Sequence, residues 1–131
     1  TFVGLGLHPG MGCTHFLPKI VGPQVAALML LTGELITAQQ ALAEGLVASV
    51  ADDAVEAAEA LANQMAGQAP IAVRTALRTL RTQQDAGLDA ALWREADAQA
   101  QCYPSADLAE GVSAIREKRK PTFSAYDHLQ D

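Results

Sequence analysis

The sequence is poor in positive charge and in long hydrophobic runs, and each shortage argues against a class of function. Its 131 residues include 9 Lys and Arg against 15 Asp and Glu, for a formal net charge of −6. Proteins that bind duplex nucleic acid usually present a basic surface, so we expect no nucleic-acid partner. The apolar run Val25–Leu31 is far shorter than the ~20 residues of a membrane-spanning helix, so we expect no membrane partner.

Cysteine is also scarce. Cys13 and Cys102 are the 2 cysteines of the sequence, and neither belongs to a C-x-x-C motif or a histidine-rich cluster. Metal sites usually need such spacing, so we expect no metal, and isolated cysteines are typical of a reduced, cytoplasmic protein. The sequence begins with Thr1 and continues at once into an apolar stretch. We therefore expect that it starts inside a fold.

The opening stretch TFVGLGLHPGMGCTHFLPKIVG is predicted to form a strand, a turn and a helix. The apolar residues of Phe2–Leu7 predict a short strand, and Pro9-Gly10 predicts a tight turn. Thr14 is predicted to cap a helix over His15–Val21. A glycine-rich turn that opens a helix can offer free N–H groups and a positive dipole end to a ligand. From the spacing alone, a plain structural turn is the favoured interpretation.

The rest of the sequence is predicted to be mainly helical, with no internal repeat and no low-complexity linker. Leu46–Val50 is predicted to be a strand or an extended connector. On α-helical periodicity, Val73, Leu77 and Leu80 should face inward. The predicted helices cover Gln24–Leu31, Ala38–Glu44, Asp52 to about Gly67, a stretch from Pro70, a stretch through Leu88, Leu92 and Ala96, and a stretch from Pro104 or Ser105 that ends before Pro121.

Three motifs occur in order: LGLHPGMGCTHFLPKIVG, LLTGELITAQQALAEGLVASV and DLAEGVSAIREKRKPTF. In this order and at these distances they resemble the C-terminal half of the enoyl-CoA hydratase/isomerase (crotonase) superfamily. The usual forms in that family are G-x-x-PG-x-GG-T, L-TG-x-x-I-x-A-x-x-A-x-x-x-GLV and EG-x-x-AF-x-EKRKP-x-F. Each motif alone is weak, but the three together cover nearly the whole sequence.

The resemblance implies an α/β, crotonase-like fold with a β-β-α spiral core. Residues 1–51 would form the last core strand and the turn of the acyl pocket. Residues 52–131 would form a helical region for trimerisation and closure over coenzyme A. The resemblance also implies a homotrimer or hexamer that needs the N-terminal half of the fold. That half would supply both oxyanion-hole amides and one of the two usual catalytic glutamates.

The resemblance further implies an enzyme that acts on an acyl-CoA thioester through a stabilised enolate. Coenzyme A would enter as part of the substrate, and no separate cofactor is expected. Ile115 replaces the family's aromatic residue, so the resemblance does not imply stacking on adenine. The residues implied to bind the substrate are Phe2, Pro9, Gly10, Met11, Gly12 and, at the phosphate end of coenzyme A, Lys118.

The second catalytic Glu of the family is missing. Its place, 7 residues before Pro9, is held by Phe2, whose ring transfers no proton and is expected to form an apolar wall. The nucleophilic Asp of a dehalogenase-like branch falls at Gly10, and the second glycine of the turn is replaced by Cys13. His8 is a candidate general base because imidazole titrates near neutral pH; packing against the turn is the favoured alternative. A non-catalytic thioester-binding or oligomerisation partner with the same fold remains open as a second function.

Overall fold

The computed structural model describes residues 1–123 and shows a helical array. Within this range there is no β-strand, and no helix is long and apolar enough to cross a membrane. A 3-10 helix at Phe2–Leu5 precedes the α-helices. These are α1 at Cys13–Val21, α2 at Pro23–Thr32, α3 at Ala38–Ala43, α4 at Ala54–Ala66, α5 at Pro70–Asp85, α6 at Leu88–Cys102 and α7 at Ala106–Arg116.

The strand predicted for Phe2–Leu7 is wrong. This stretch closes its hydrogen bonds on itself: the Gly6 N–H donates to the Val3 carbonyl at 3.0 Å, and the Leu7 N–H donates to the Phe2 carbonyl at 3.1 Å. Gly6 has a φ of 74°, a left-handed conformation that glycine adopts easily and that reverses the chain direction. The backbone groups that a sheet would need are therefore satisfied within a single turn.

Two glycines bring α7 into direct backbone contact with the 3-10 helix. A Cβ atom on Gly6 would lie 2.6 Å from the carbonyl carbon of Asp107. A Cβ atom on Gly111 would lie 2.5 Å from the carbonyl carbon of Leu5. Real Cβ atoms do not approach other atoms so closely, because van der Waals repulsion is steep at such distances. This packing fixes the 3-10 helix, and with it the start of the turn that follows.

Three of the seven α-helices in residues 1–123 start at a local side-chain cap. Thr37 forms a capping box with Gln40 at the start of α3. The Asp53 carboxylate accepts two backbone N–H groups at 3.0 Å at the start of α4, and the Ser105 hydroxyl accepts the Leu108 N–H at 3.2 Å. These interactions satisfy N–H groups that have no partner within the helix. The predicted starts of α3, α4 and α7 are confirmed.

The start of α1 was predicted wrongly. Its N-cap residue is Gly12, with a φ of 77°, and Thr14 lies inside the helix. Gly12 has no side chain to cap the helix, so the N–H groups of the first turn need a partner from elsewhere in the fold.

The core of the described residues is made of small side chains. Its buried apolar members are Ala26, Ala41, Ala91 and Ala114. Neither α4 nor α5 buries any residue. Leu77 and Leu80, which periodicity predicts to face inward, are 44% and 56% exposed, because α5 has no apolar layer packed over this face among the described residues.

Candidate functional site

The turn at 9–12 joins the 3-10 helix to α1 in an unusual conformation. Pro9, Gly10 and Gly12 are buried, whereas Met11 is 90% exposed. Met11 has a φ of 61° and Gly12 a φ of 77°. The left-handed conformation costs a residue with a side chain roughly 1–2 kcal/mol, so the surrounding structure must hold Met11 in place.

A carboxylate from α6 holds the C-terminal side of this turn. Glu95 Oε2 accepts the Gly12 N–H at 2.7 Å, and Glu95 Oε1 accepts the Thr14 N–H at 2.9 Å as well as the Thr14 hydroxyl. Its negative charge lies at the positive end of the α1 dipole. The free N–H groups expected at the start of α1 are therefore not free: Glu95 takes those of Gly12 and Thr14, and the Gly10 carbonyl accepts that of Cys13 at 3.2 Å.

Glu95 is 3% exposed, and among residues 1–123 it is the only charged residue that is buried. Burial acts to raise its pKa, but hydrogen bonds from the Thr14 hydroxyl and from the Gly12 and Thr14 backbone hold the pKa below its ordinary value. Burial, followed by the negative charge of Glu95, raises the pKa of the Cys13 thiol. Cys13 is therefore protonated at neutral pH and is not an activated nucleophile.

The N-terminal side of the turn is held at His8. The His8 Nδ1 atom lies 2.6 Å from the Pro9 carbonyl oxygen. A carbonyl only accepts hydrogen bonds, so Nδ1 donates, and the neutral ring keeps its lone pair on Nε2. Gln99 Nε2 donates to the His8 carbonyl at 3.0 Å. Both the ring and the backbone of His8 therefore have defined partners.

A cavity of about 420 Å³ lies beside the turn. This volume falls within the range of small-molecule pockets, which are mainly apolar and carry a few polar groups. The polar side chains on its wall are those of His8, Thr14, Cys102 and Asp107. The remaining lining residues are Val3, Gly6, Leu7, Pro9, Leu30, Leu31 and Phe123.

A second cavity, of about 320 Å³, shares the lining residue Leu30 with the first. Phe2 lines this second cavity together with Cys13. Its other lining residues are Thr1, Leu17, Met29, Glu34, Leu35 and Ile36. Phe2 thus lies at a different cavity from that of His8 and Pro9, and its role as an apolar wall of the acyl pocket stays a prediction.

The structure brings only part of the predicted site together. His8 and Pro9 share the first cavity, while Gly10 packs against the Gln99 side chain. Lys118 lies just beyond the end of α7, is exposed, has a φ of 54° and lines neither cavity.

Glu95 and Gln99 were missed from the sequence. The available signal was periodicity: Ala91, Glu95 and Gln99 follow one another at intervals of four residues on α6. Residues at this spacing share a helix face, so a carboxylate and an amide beside a buried alanine mark a polar contact within the fold.

The comparisons with known proteins agree with the motifs. The sequence model of the Enoyl-CoA hydratase/isomerase family matches residues 1–126. The chain is 41% identical to the 2,3-dehydroadipyl-CoA hydratase of Escherichia coli (strain K12), over 92% of this chain and 48% of that protein. It is 35% identical to the crotonyl-CoA hydratase of Syntrophomonas wolfei, over 92% of this chain and 47% of that protein.

The fold comparison gives the same result. The crystal structure of an enoyl-CoA hydratase/isomerase from Pseudoalteromonas atlantica T6c superposes with a TM-score of 0.80 at 35% identity, over 94% of this chain and 50% of that one. The chain spans about half the length of the curated relatives it matches, and the match falls on their C-terminal half. The chain belongs to the enoyl-CoA hydratase/isomerase family.

Proposed function

We propose that this chain forms the acyl-pocket half of an enzyme that acts on an acyl-CoA thioester through a stabilised enolate. The observation that carries the proposal is an apolar cavity of about 420 Å³ whose wall includes His8 and Pro9, at the start of the fixed turn. An acyl chain needs an apolar pocket, and a reacting thioester needs a backbone held in one position beside it. The names of two relatives, a 2,3-dehydroadipyl-CoA hydratase and a crotonyl-CoA hydratase, support this substrate class.

Hydration of an enoyl thioester adds the oxygen of water to C3 and a proton to C2. One protein group must take the proton from water, and one must deliver a proton to C2. His8 is the candidate of this chain for the first task, because its Nδ1–H is given to the Pro9 carbonyl and Nε2 keeps the lone pair. Phe2, at the usual place of the second catalytic Glu, takes no part in proton transfer.

The enolate oxygen needs hydrogen-bond donors that are not already engaged. At the start of α1, the N–H groups of Gly12, Cys13 and Thr14 are all bonded within the protein. We therefore assign the oxyanion hole to backbone amides of the N-terminal half, as the resemblance implies. Lys118 is assigned to the phosphate end of coenzyme A, and the assembled protein is proposed to be a cytoplasmic homotrimer or hexamer.

The test is hydration of crotonyl-CoA and of 2,3-dehydroadipyl-CoA by the assembled protein, this chain together with the N-terminal half, measured as the loss of ultraviolet absorbance of the conjugated thioester. We expect turnover of at least one ester and a loss of turnover in His8→Ala, with thioester binding measured in parallel by calorimetry. Binding without turnover would favour the non-catalytic thioester-binding partner. Absence of both binding and turnover would overturn the proposal.

A further inference from the structure

Two side chains on α6 contact opposite sides of the turn. Glu95 bonds to Gly12 and Thr14, and Gln99, one helical turn further along, bonds to the His8 carbonyl. Within the turn, Met11 adopts a left-handed backbone conformation that is unfavourable for a residue with a side chain. The local sequence alone therefore does not stabilise this conformation of the turn. The contacts of Glu95 and Gln99 stabilise this conformation from outside the turn.

Burial indicates that the Glu95 contacts are specific. A carboxylate that is 3% exposed is costly unless hydrogen bonds replace its lost hydration. Glu95 has three such bonds, all from Gly12 and Thr14. Moving the turn would leave a buried charge without partners, so the position of the turn and the position of α6 are coupled.

The Gln99 contact has a steric part as well as a hydrogen bond. A Cβ atom on Gly10 would overlap the amide nitrogen of Gln99, so the amide packs directly against the Gly10 backbone. The same nitrogen donates to the His8 carbonyl at 3.0 Å. Gln99 thus fixes the backbone of His8 and Gly10, while the ring of His8 is oriented separately by the Pro9 carbonyl.

We propose that Glu95 and Gln99 are positioning residues for the reaction at the thioester. They act through the turn and through His8 and touch no reacting atom. This inference rests on the proposed function, which makes His8 and Pro9 part of the wall of the acyl pocket. Because a misplacement of about 1 Å can cost about 100-fold in rate, loss of either contact is expected to lower kcat and to leave KM nearly unchanged.

The variants are Glu95→Gln, Glu95→Ala and Gln99→Ala, with Asp97→Asn and Gln101→Ala as controls on exposed positions of α6. In the protein as it exists, we expect kcat for the enoyl-CoA ester to fall about 10- to 100-fold in Glu95→Ala and Gln99→Ala, with KM within about threefold. Glu95→Gln keeps one acceptor oxygen and is expected to recover part of the lost kcat. The controls are expected to match the wild type.

A second readout keeps the test independent of turnover. Amide hydrogen exchange is expected to accelerate selectively at Gly12 and Thr14 in the Glu95 variants, and to remain unchanged there in Asp97→Asn. If folded Gln99→Ala or folded Glu95→Ala keeps the wild-type kcat, the inference is wrong. It is equally wrong if exchange at Gly12 and Thr14 is unchanged in Glu95→Ala. A wild type that neither binds nor hydrates the ester would overturn the proposed function, and the exchange measurement would still report on the contacts.

Discussion

Glu110, within α7, and Arg119, just after this helix, form a bidentate ion pair. Arg119 Nη1 lies 2.5 Å from Glu110 Oε1, and Arg119 Nη2 lies 2.8 Å from Glu110 Oε2. Glu110 also accepts the Thr122 N–H at 2.8 Å, and Glu117 accepts Arg119 Nε at 2.7 Å. These bonds fold the segment after α7 back along the helix.

The pair makes stability depend on pH. Hydrogen bonds from Arg119, followed by that from Thr122, lower the pKa of Glu110 to about 2, whereas an unfolded glutamate titrates near ~4.3. Because the folded pKa is the lower one, the contribution is complete above the unfolded pKa and is lost as the pH falls towards 2. We expect Glu110→Gln to melt at a lower temperature than the wild type at pH ~7, and the difference to shrink as the pH falls from ~4 towards ~2. Melting curves across this range check it, with the exposed Glu59→Gln as a control expected to show no difference.

Lys118 offers a way to separate stability from binding. It occupies the left-handed position after α7, where its N–H donates to the Ile115 carbonyl at 3.2 Å and the Arg119 N–H donates to the Ala114 carbonyl at 3.0 Å. Glycine is the usual residue at this position of a Schellman motif. Lys118→Gly is therefore expected to stabilise the fold by about 1 kcal/mol and to weaken coenzyme A ester binding.

The matched control for Lys118 is Lys118→Ala, which removes the charge and keeps the backbone cost. Denaturant unfolding and calorimetry measure the two effects separately. Unchanged ester affinity in both variants would remove Lys118 from the proposed substrate site, whatever the stability shows.

Variants of Phe2 test the proposal that Phe2 forms an apolar wall whereas His8 takes part in proton transfer. Phe2→Leu keeps an apolar wall and is expected to retain most of the turnover, because the ring takes no part in proton transfer. Phe2→Glu is expected to raise hydration of a short enoyl-CoA only if an acid in the N-terminal half can act with it. A carboxylate in this half-buried position also costs a few kcal/mol unless it gains a hydrogen bond. Steady-state hydration is the measurement, and a loss of turnover in Phe2→Leu equal to that in His8→Ala would contradict the assignment.

The close contact between α7 and the 3-10 helix can be tested by adding a single methyl group at Gly111. Gly111→Ala places a Cβ atom 2.5 Å from the Leu5 carbonyl carbon and is expected to destabilise the fold by about 1–3 kcal/mol. Gly4→Ala is the matched control, because a Cβ atom on Gly4 meets nothing within 4 Å. Urea unfolding of the two variants checks the difference; equal stabilities would show that the two elements can separate at little cost.

The sequence predicts those parts of the fold whose causes are local. Thr37, Asp53 and Ser105 each mark a helix start, because a cap and its N–H partners lie within three residues of one another. The turn at Pro9-Gly10 is predicted for the same reason. Glu95 is not predicted as a partner of this turn, because only the tertiary fold brings it to Gly12.

The failed strand has a related cause. The apolar residues of Phe2–Leu7 fit a strand, but the backbone of this stretch is shaped by Gly6 and by the packing of Gly111 against Leu5. Neither the left-handed conformation of Gly6 nor the packing of Gly111 produces a periodic pattern in the sequence. Leu77 and Leu80 are exposed although periodicity predicts that they face inward. Periodicity predicts which residues share a helix face, but it does not predict whether another element packs on that face.

The bond between Glu95 and Gly12 also has a kinetic consequence. It joins residues 83 positions apart, and closing a flexible loop of this length costs about 4 kcal/mol of chain entropy. Helix–coil relaxation takes about a microsecond or less, whereas a contact between residues so far apart must wait until the loop closes. The turn is therefore expected to acquire its final shape late in folding, once α1 and α6 have been brought together.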